Sequence, residues 1–135
     1  MRARAEATPC GARERGSAPV EALLVGILLT VLVLGVLQLA LILHVRNTLT
    51  DAAAEGARTA ALADNTLAHG VHRTEQLIVA AIGEGYARDV TAGYGEYLGH
   101  PAVIVTVRAP LPLLGLWGFP DSVEVSGRAA QEVLG

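Results

Sequence analysis

His69 and His72 stand three residues apart, close enough to share one face of a helix, so metal binding is the first chemistry to consider. A zinc or other transition-metal site needs a third or fourth ligand at a suitable spacing. His44 and His100 are scattered elsewhere, no His-Glu-x-x-His run or acid–His pairing at metal spacing occurs, and the lone cysteine is Cys10. The histidines therefore read as solvated surface residues. Gly93-Tyr94-Gly95-Glu96-Tyr97-Leu98-Gly99 has the glycine richness of a dinucleotide loop. It lacks the spacing, the preceding strand and the following helix that would bring backbone N–H groups to a pyrophosphate. Ser17, Ser122 and Ser126 sit in no glycine elbow. No catalytic constellation, metal site or cofactor site is expected, and the chain does not read as an enzyme.

The element around which everything else must be arranged is apolar. Ala22 to His44 reads ALLVGILLTVLVLGVLQLALILH, without one Asp, Glu, Lys or Arg. At about 1.5 Å per residue a helix of this length reaches about 35 Å, enough to cross a hydrocarbon core of about 30 Å with some tilt. A core helix of a soluble domain would be shorter and would keep a polar face. The lipid bilayer is thus the first expected partner.

All ten basic residues are arginine. Arg2, Arg4, Arg13 and Arg15 precede the span against only Glu6 and Glu14, while six Arg and ten acids follow from Arg46 onward. The flanking arginines predict a cytoplasmic N-terminus and an extracytoplasmic C-terminal region, which Arg46 weakens without reversing. The mildly acidic C-terminal region offers no basic patch, so no nucleic-acid partner is expected. A single cysteine excludes an intramolecular disulfide. Aromatics are scarce, so a core outside the membrane must be built from Ala, Val and Leu.

After the span the Ala-rich run Val45–Leu62 has no turn signal, and its Asp51/Glu55 and Glu55/Arg58 spacings favour helix. The spacing predicts one continuous rod to about Leu62. Ala52, Gly56 and Ala60 (or Ala63) form a small-residue seam where another helix could approach closely; helix propensity with small surface residues explains the same pattern equally well. Asp64-Asn65-Thr66 predicts a stop and restart, and residues 67–82 a second helix with a stripe of Leu67, Val71, Leu77, Ile78, Ala81 and Ile82. The glycines from Gly83 to Gly99 predict a loop-rich stretch. Residues 102–109 and 122–129 alternate β-branched residues and predict two strands. Between them lies an apolar cluster, Leu113, Leu114, Leu116, Trp117 and Phe119. It could dock a partner, touch the outer membrane surface, or cover the back of the small sheet. The expected class is α+β: a leader at 1–16, a transmembrane helix at 17–45, its extension at 46–64, a second helix and glycine-rich loop at 65–100, and a two-stranded β region at 101–135.

The junction before the span is unusual for a secretory signal. Its apolar stretch is too long, and no Ala-x-Ala-like exit follows it. Instead a charged leader ends in Gly16-Ser17-Ala18-Pro19-Val20-Glu21, with one acid at the mouth of the apolar helix. This resembles the processing site of type IV pilin-like precursors. The resemblance implies cleavage by a membrane-embedded prepilin peptidase between Gly16 and Ser17, leaving Glu21 as the fifth mature residue. There it can pair with the new α-ammonium of a neighbouring subunit. "RGSAPVE", the span and "HVRNTLTDAAAEGARTAAL" together narrow the resemblance to the TadE-like family of minor pseudopilins from tight-adherence (Flp) pilus systems, over about residues 13–62. Pro19 and the Leu43-His44 exit depart from that pattern. The resemblance implies a single-pass protein of the cytoplasmic membrane whose partners are the peptidase and other pseudopilins or the assembly platform. The alternative is an uncleaved signal-anchored envelope protein with a small outer binding or regulatory domain.

Overall fold

The computed structural model describes residue 3, residues 16–111 and residues 122–132. The elements follow in the order α1 (Ser17–Ala61), α2 (Leu67–Ile82), a single 3-10 turn (Glu84–Tyr86), β1 (Asp89–Tyr97), β2 (His100–Pro110) and β3 (Ser122–Ala130). The chain divides into two compact units, Met1–Leu37 and Gln38–Gly135.

The described part of the first unit is the beginning of α1. Every residue from Gly16 to Leu37 is exposed, and Leu, Val and Ile point outward on all sides. Over its most apolar 18 residues the helix has a mean hydropathy of 2.7 with none of that stretch buried. Such a surface is stable only in an apolar solvent, and the helix is long and apolar enough to cross a membrane. Thr30, a rare polar residue in the run, returns its hydroxyl to the Gly26 carbonyl at 2.8 Å. This back-bond satisfies the hydroxyl without a second chain.

The second unit is α+β. α1 and α2 lie on one face of an antiparallel sheet in the order β1-β2-β3. Its core is Val45, Leu49, Ala52, Ala53, Ala57, Ala60 and Ala61 from α1, Ile78 from α2, and Val103, Val105, Val107, Ala109 and Val125 from the sheet. Alternation along β2 explains the split: Val103, Val105 and Val107 face the helices, while Arg108 points to solvent. On the outer face Arg108 Nε donates to Glu124 Oε2 at 2.7 Å across the β2–β3 pair, and Asp89 stands opposite Arg108 on β1. The Glu124 hydrogen bond, its charge and the more distant Asp89 hold the guanidinium above its ordinary pKa.

Three expectations are corrected here. The sheet has three strands, not two, because β1 occupies part of the stretch read as a glycine-rich loop. Its glycines hide the strand signal, since a residue without a side chain shows no alternation. Gly95 is held in the strand by the ladder to β2, opposite Ala102, and Ile104 Cδ1 lies over it, 2.6 Å from where a β-carbon would stand. The buried centre of α2 is Gly70, Thr74 and Ile78, with Leu67, Leu77 and Ile82 only flanking it and Ala81 exposed. His69 is exposed but not merely solvated: its Nδ1 accepts the Thr66 backbone N–H at 3.1 Å, closing the first turn of α2 as the Glu or Gln of a capping box does. The end of α1 at Ala61 and the limits of α2 agree with the predicted ones.

β1 and β2 join through a two-residue turn, Leu98-Gly99, with φ of 52° and 79°. Positive φ at both positions is the type I′ pattern that suits strand twist and favours Asn-Gly. Leu98 therefore sits in a left-handed conformation that disfavours it, and it is 82% exposed. Leu98→Asn is expected to stabilise the second unit by about 1 kcal/mol, because asparagine tolerates this conformation. Urea unfolding of the detergent-solubilised chain should show a higher midpoint at unchanged slope.

Candidate processing and assembly sites

Gly16 stands in a turn immediately before α1, and nothing lies within 4 Å of the position its β-carbon would take. Ser17 opens the helix and Pro19 falls in its first turn, where the missing N–H has no partner to lose. Glu21 follows on the exposed surface of α1 and makes no ion pair among the described residues. Four residues of helix separate Ser17 from Glu21, a rise of about 6 Å. Among the described residues the β-carbon position of Gly16 is thus open, and the Glu21 carboxylate lies about one turn into the helix.

The small-residue seam lies elsewhere. Ala52, Gly56 and Ala60 are buried, and the helix that approaches them is α2 of the same chain. A β-carbon on Gly56 would collide with the Thr74 hydroxyl and come within 2.7 Å of the Gly70 carbonyl oxygen. One on Gly70 would come within 2.6 Å of the Ala60 methyl. Thr74, fully buried, donates to the Gly70 carbonyl at 2.8 Å and lies 3.4 Å from that of Ala52. The seam is filled within the chain. Ala63, the alternative fourth member, is exposed beyond the end of α1.

Gly127 on β3 is a residue that sequence reasoning passed over. It lies against the backbone of Ala53 and Ala54 so closely that no β-carbon fits. A glycine inside an otherwise β-branched strand is the signal that could have found it, since such a residue often marks close backbone approach.

An open groove of about 570 Å³ between the two helices is lined by Thr48, Asp51, Ala52, Glu55 and Arg58 from α1 and by Arg73 and Leu77 from α2, among others. Glu55 and Arg58 pair at 3.6 Å within it. Its charges are mixed, and no nucleophile stands beside a base. Among the described residues, no three of His, Cys, Asp and Glu gather where a metal ion could be held. The apolar cluster Leu113–Phe119 lies outside the described residues, as does the leader apart from residue 3 and Gly16.

Residues 16–58 match the family model described as TadE-like protein. The match starts at the glycine of the junction and takes in Glu21, the apolar run and, of the seam, Ala52 and Gly56. No curated protein and no solved structure matches the chain.

Proposed function

Starting from a chain whose residues 16–58 are TadE-like, we propose a minor pseudopilin of a tight-adherence (Flp) pilus system. In this reading a prepilin peptidase cuts between Gly16 and Ser17 on the cytoplasmic side. The mature chain stays in the cytoplasmic membrane by the apolar part of α1, with its C-terminal unit on the extracytoplasmic side. It acts by packing with other pseudopilins or the assembly platform, and not by catalysis. The observation that carries the reading is the coincidence of three boundaries: the family match begins at Gly16, α1 begins at Ser17, and the fully exposed apolar surface follows at once. The four N-terminal arginines support the orientation.

Co-expression with a prepilin peptidase, followed by mass spectrometry of the purified chain, tests this directly. The expected product starts at Ser17, and Gly16→Leu should leave it full length. A wild-type chain that keeps residues 1–16 in the presence of an active peptidase overturns the processing step. That result would favour the second reading, an uncleaved signal-anchored protein. The open, mixed-charge groove between α1 and α2 would then be its natural binding surface.

A further inference from the structure

The start of α2 is closed by a side chain whose charge can change. Thr66 precedes the helix as its N-cap, and His69 stands three residues on. The Thr66 backbone N–H donates to His69 Nδ1 at 3.1 Å, and Thr66 Oγ1 lies 3.3 Å from the same nitrogen. A ring nitrogen that accepts an N–H must carry a lone pair, so this bond requires the neutral imidazole with its proton on Nε2. The Gln of an ordinary capping box accepts the same N–H at any pH. Histidine is the side chain that ordinarily changes charge between about pH 5 and 8. A proton on Nδ1 sets two donors against each other, so the ring must turn away and leave the N–H to water. Thr66 Oγ1 can accept from the protonated ring but cannot restore the bond to the backbone. The imidazolium also brings positive charge into the first turn, where the helix dipole disfavours it.

What this turn holds in place is the close contact between the two helices. Gly70 follows His69 directly, and the Ala60 methyl and Gly56 carbonyl of α1 leave it no room for a β-carbon. Thr74, one turn later, is fully buried and donates to the Gly70 carbonyl at 2.8 Å. Just before the turn, Asn65 Nδ2 donates to the Thr59 carbonyl of α1 at 2.7 Å. We propose that neutral His69 is a pH-dependent catch on the α1–α2 contact: proton uptake releases the first turn of α2 and loosens the second unit in mild acid. The charged or titratable groups beside it in the chain are Asp64, His72, Arg73 and Glu75. Those of the elements packed on α2 are Asp51, Glu55 and Arg58 of α1, Glu84 of the 3-10 turn, Asp89 and Glu96 of β1, and His100 and Arg108 of β2. None of them makes a hydrogen bond or ion pair with His69, so protonation brings no carboxylate contact to offset the lost bond. The unfolded chain takes up the same proton with no bond to lose. The catch therefore contributes stability at the upper end of the histidine range and loses it as pH falls. It depends on neither processing nor membrane orientation.

Urea unfolding of the detergent-solubilised full chain, followed by circular dichroism at about pH 7.5 and about pH 5.5, brackets the histidine range. The comparison is with His69→Gln, whose amide oxygen can accept the Thr66 N–H at both pH values. Other groups titrate over the same range, so the difference between the two proteins is the readout. On acidification the folded-to-unfolded ratio of the wild type is expected to fall about fivefold further than that of His69→Gln, the worth of one helix cap. His72→Gln, altered one turn further along, is expected to keep the wild-type response. A His69→Gln chain that responds as the wild type does, or a response that disappears with His72 instead, overturns the proposal. A second measurement needs no variant. The ¹⁵N shifts of the His69 ring in the wild-type chain at about pH 7.5 should place the proton on Nε2. A ring found mainly as the Nδ1–H tautomer overturns the proposal even where His69→Gln fails to fold.

Discussion

Gly127→Ala is expected to destabilise the second unit by about 3 kcal/mol, near the top of the range for overpacking a tight contact. The reason is what the new methyl would meet. The backbone of Ala53 and Ala54 occupies that space, and a helix backbone held by its own hydrogen bonds cannot swing aside as a side-chain tip can. The helix and β3 would have to separate, opening the contacts of Val125, Val105 and Ala57 in one step. Gly93→Ala is the control. Gly93 is also a strand glycine, on β1, but nothing stands within 4 Å of its β-carbon position. There the methyl is expected to leave stability unchanged or raise it by about 0.5 kcal/mol, through the lower entropy of the unfolded chain. Urea unfolding of both variants in the same detergent, followed by circular dichroism, checks the contrast. Equal midpoints for the two variants would show that the β3–α1 contact is looser than described.

Glu21→Ala is expected to leave membrane insertion intact and to weaken co-purification with partner pseudopilins by at least about tenfold. Removing an acid from the mouth of an apolar helix can only ease insertion, since a carboxylate in a membrane helix costs about 2.5–3.5 kcal/mol at the centre and less near the interface. The loss falls on assembly. Glu21 has no ion-pair partner among the described residues, so none of their charges offsets its desolvation. In the proposed assembly the new α-ammonium of a neighbour would offset it. Two unit charges about 4 Å apart at an effective dielectric of about 20 attract by about 4 kcal/mol, from which desolvation must be subtracted. A remainder of about 1.4 kcal/mol already gives tenfold. Carbonate extraction reads insertion, and pull-down from membranes of cells carrying the partner subunits reads assembly. Unchanged co-purification removes the pairing idea while leaving the anchor in place.

Legibility in this chain followed the range of the interactions involved. Local signals carried far: the apolar run, the Ala-rich continuation and the Asp64-Asn65-Thr66 break set α1 and α2 to within a residue or two. Each depends on composition and hydrogen bonds within a few residues. The alternating Val103, Val105 and Val107 exposed β2 for the same reason. β1 escaped, because Gly93 and Gly95 contribute no side chains to alternate, and what makes them a strand is the ladder to β2. The cap that His69 supplies is not legible in sequence, because a histidine three residues into a helix carries no common capping signature.

By itself the sequence determined the membrane-length helix, the α+β class and the candidate cleavage junction, since hydropathy, helix propensity and a short motif are all properties of contiguous residues. Only the tertiary structure decided what the small residues are for. Ala52, Gly56 and Ala60 receive α2 of their own chain, while Ala53 receives the bare backbone of Gly127. A small side chain states that something comes close without stating what. The identity of the neighbour depends on how distant segments fold back, and burial of a thin Ala/Val core forces backbones together wherever no side chain holds them apart.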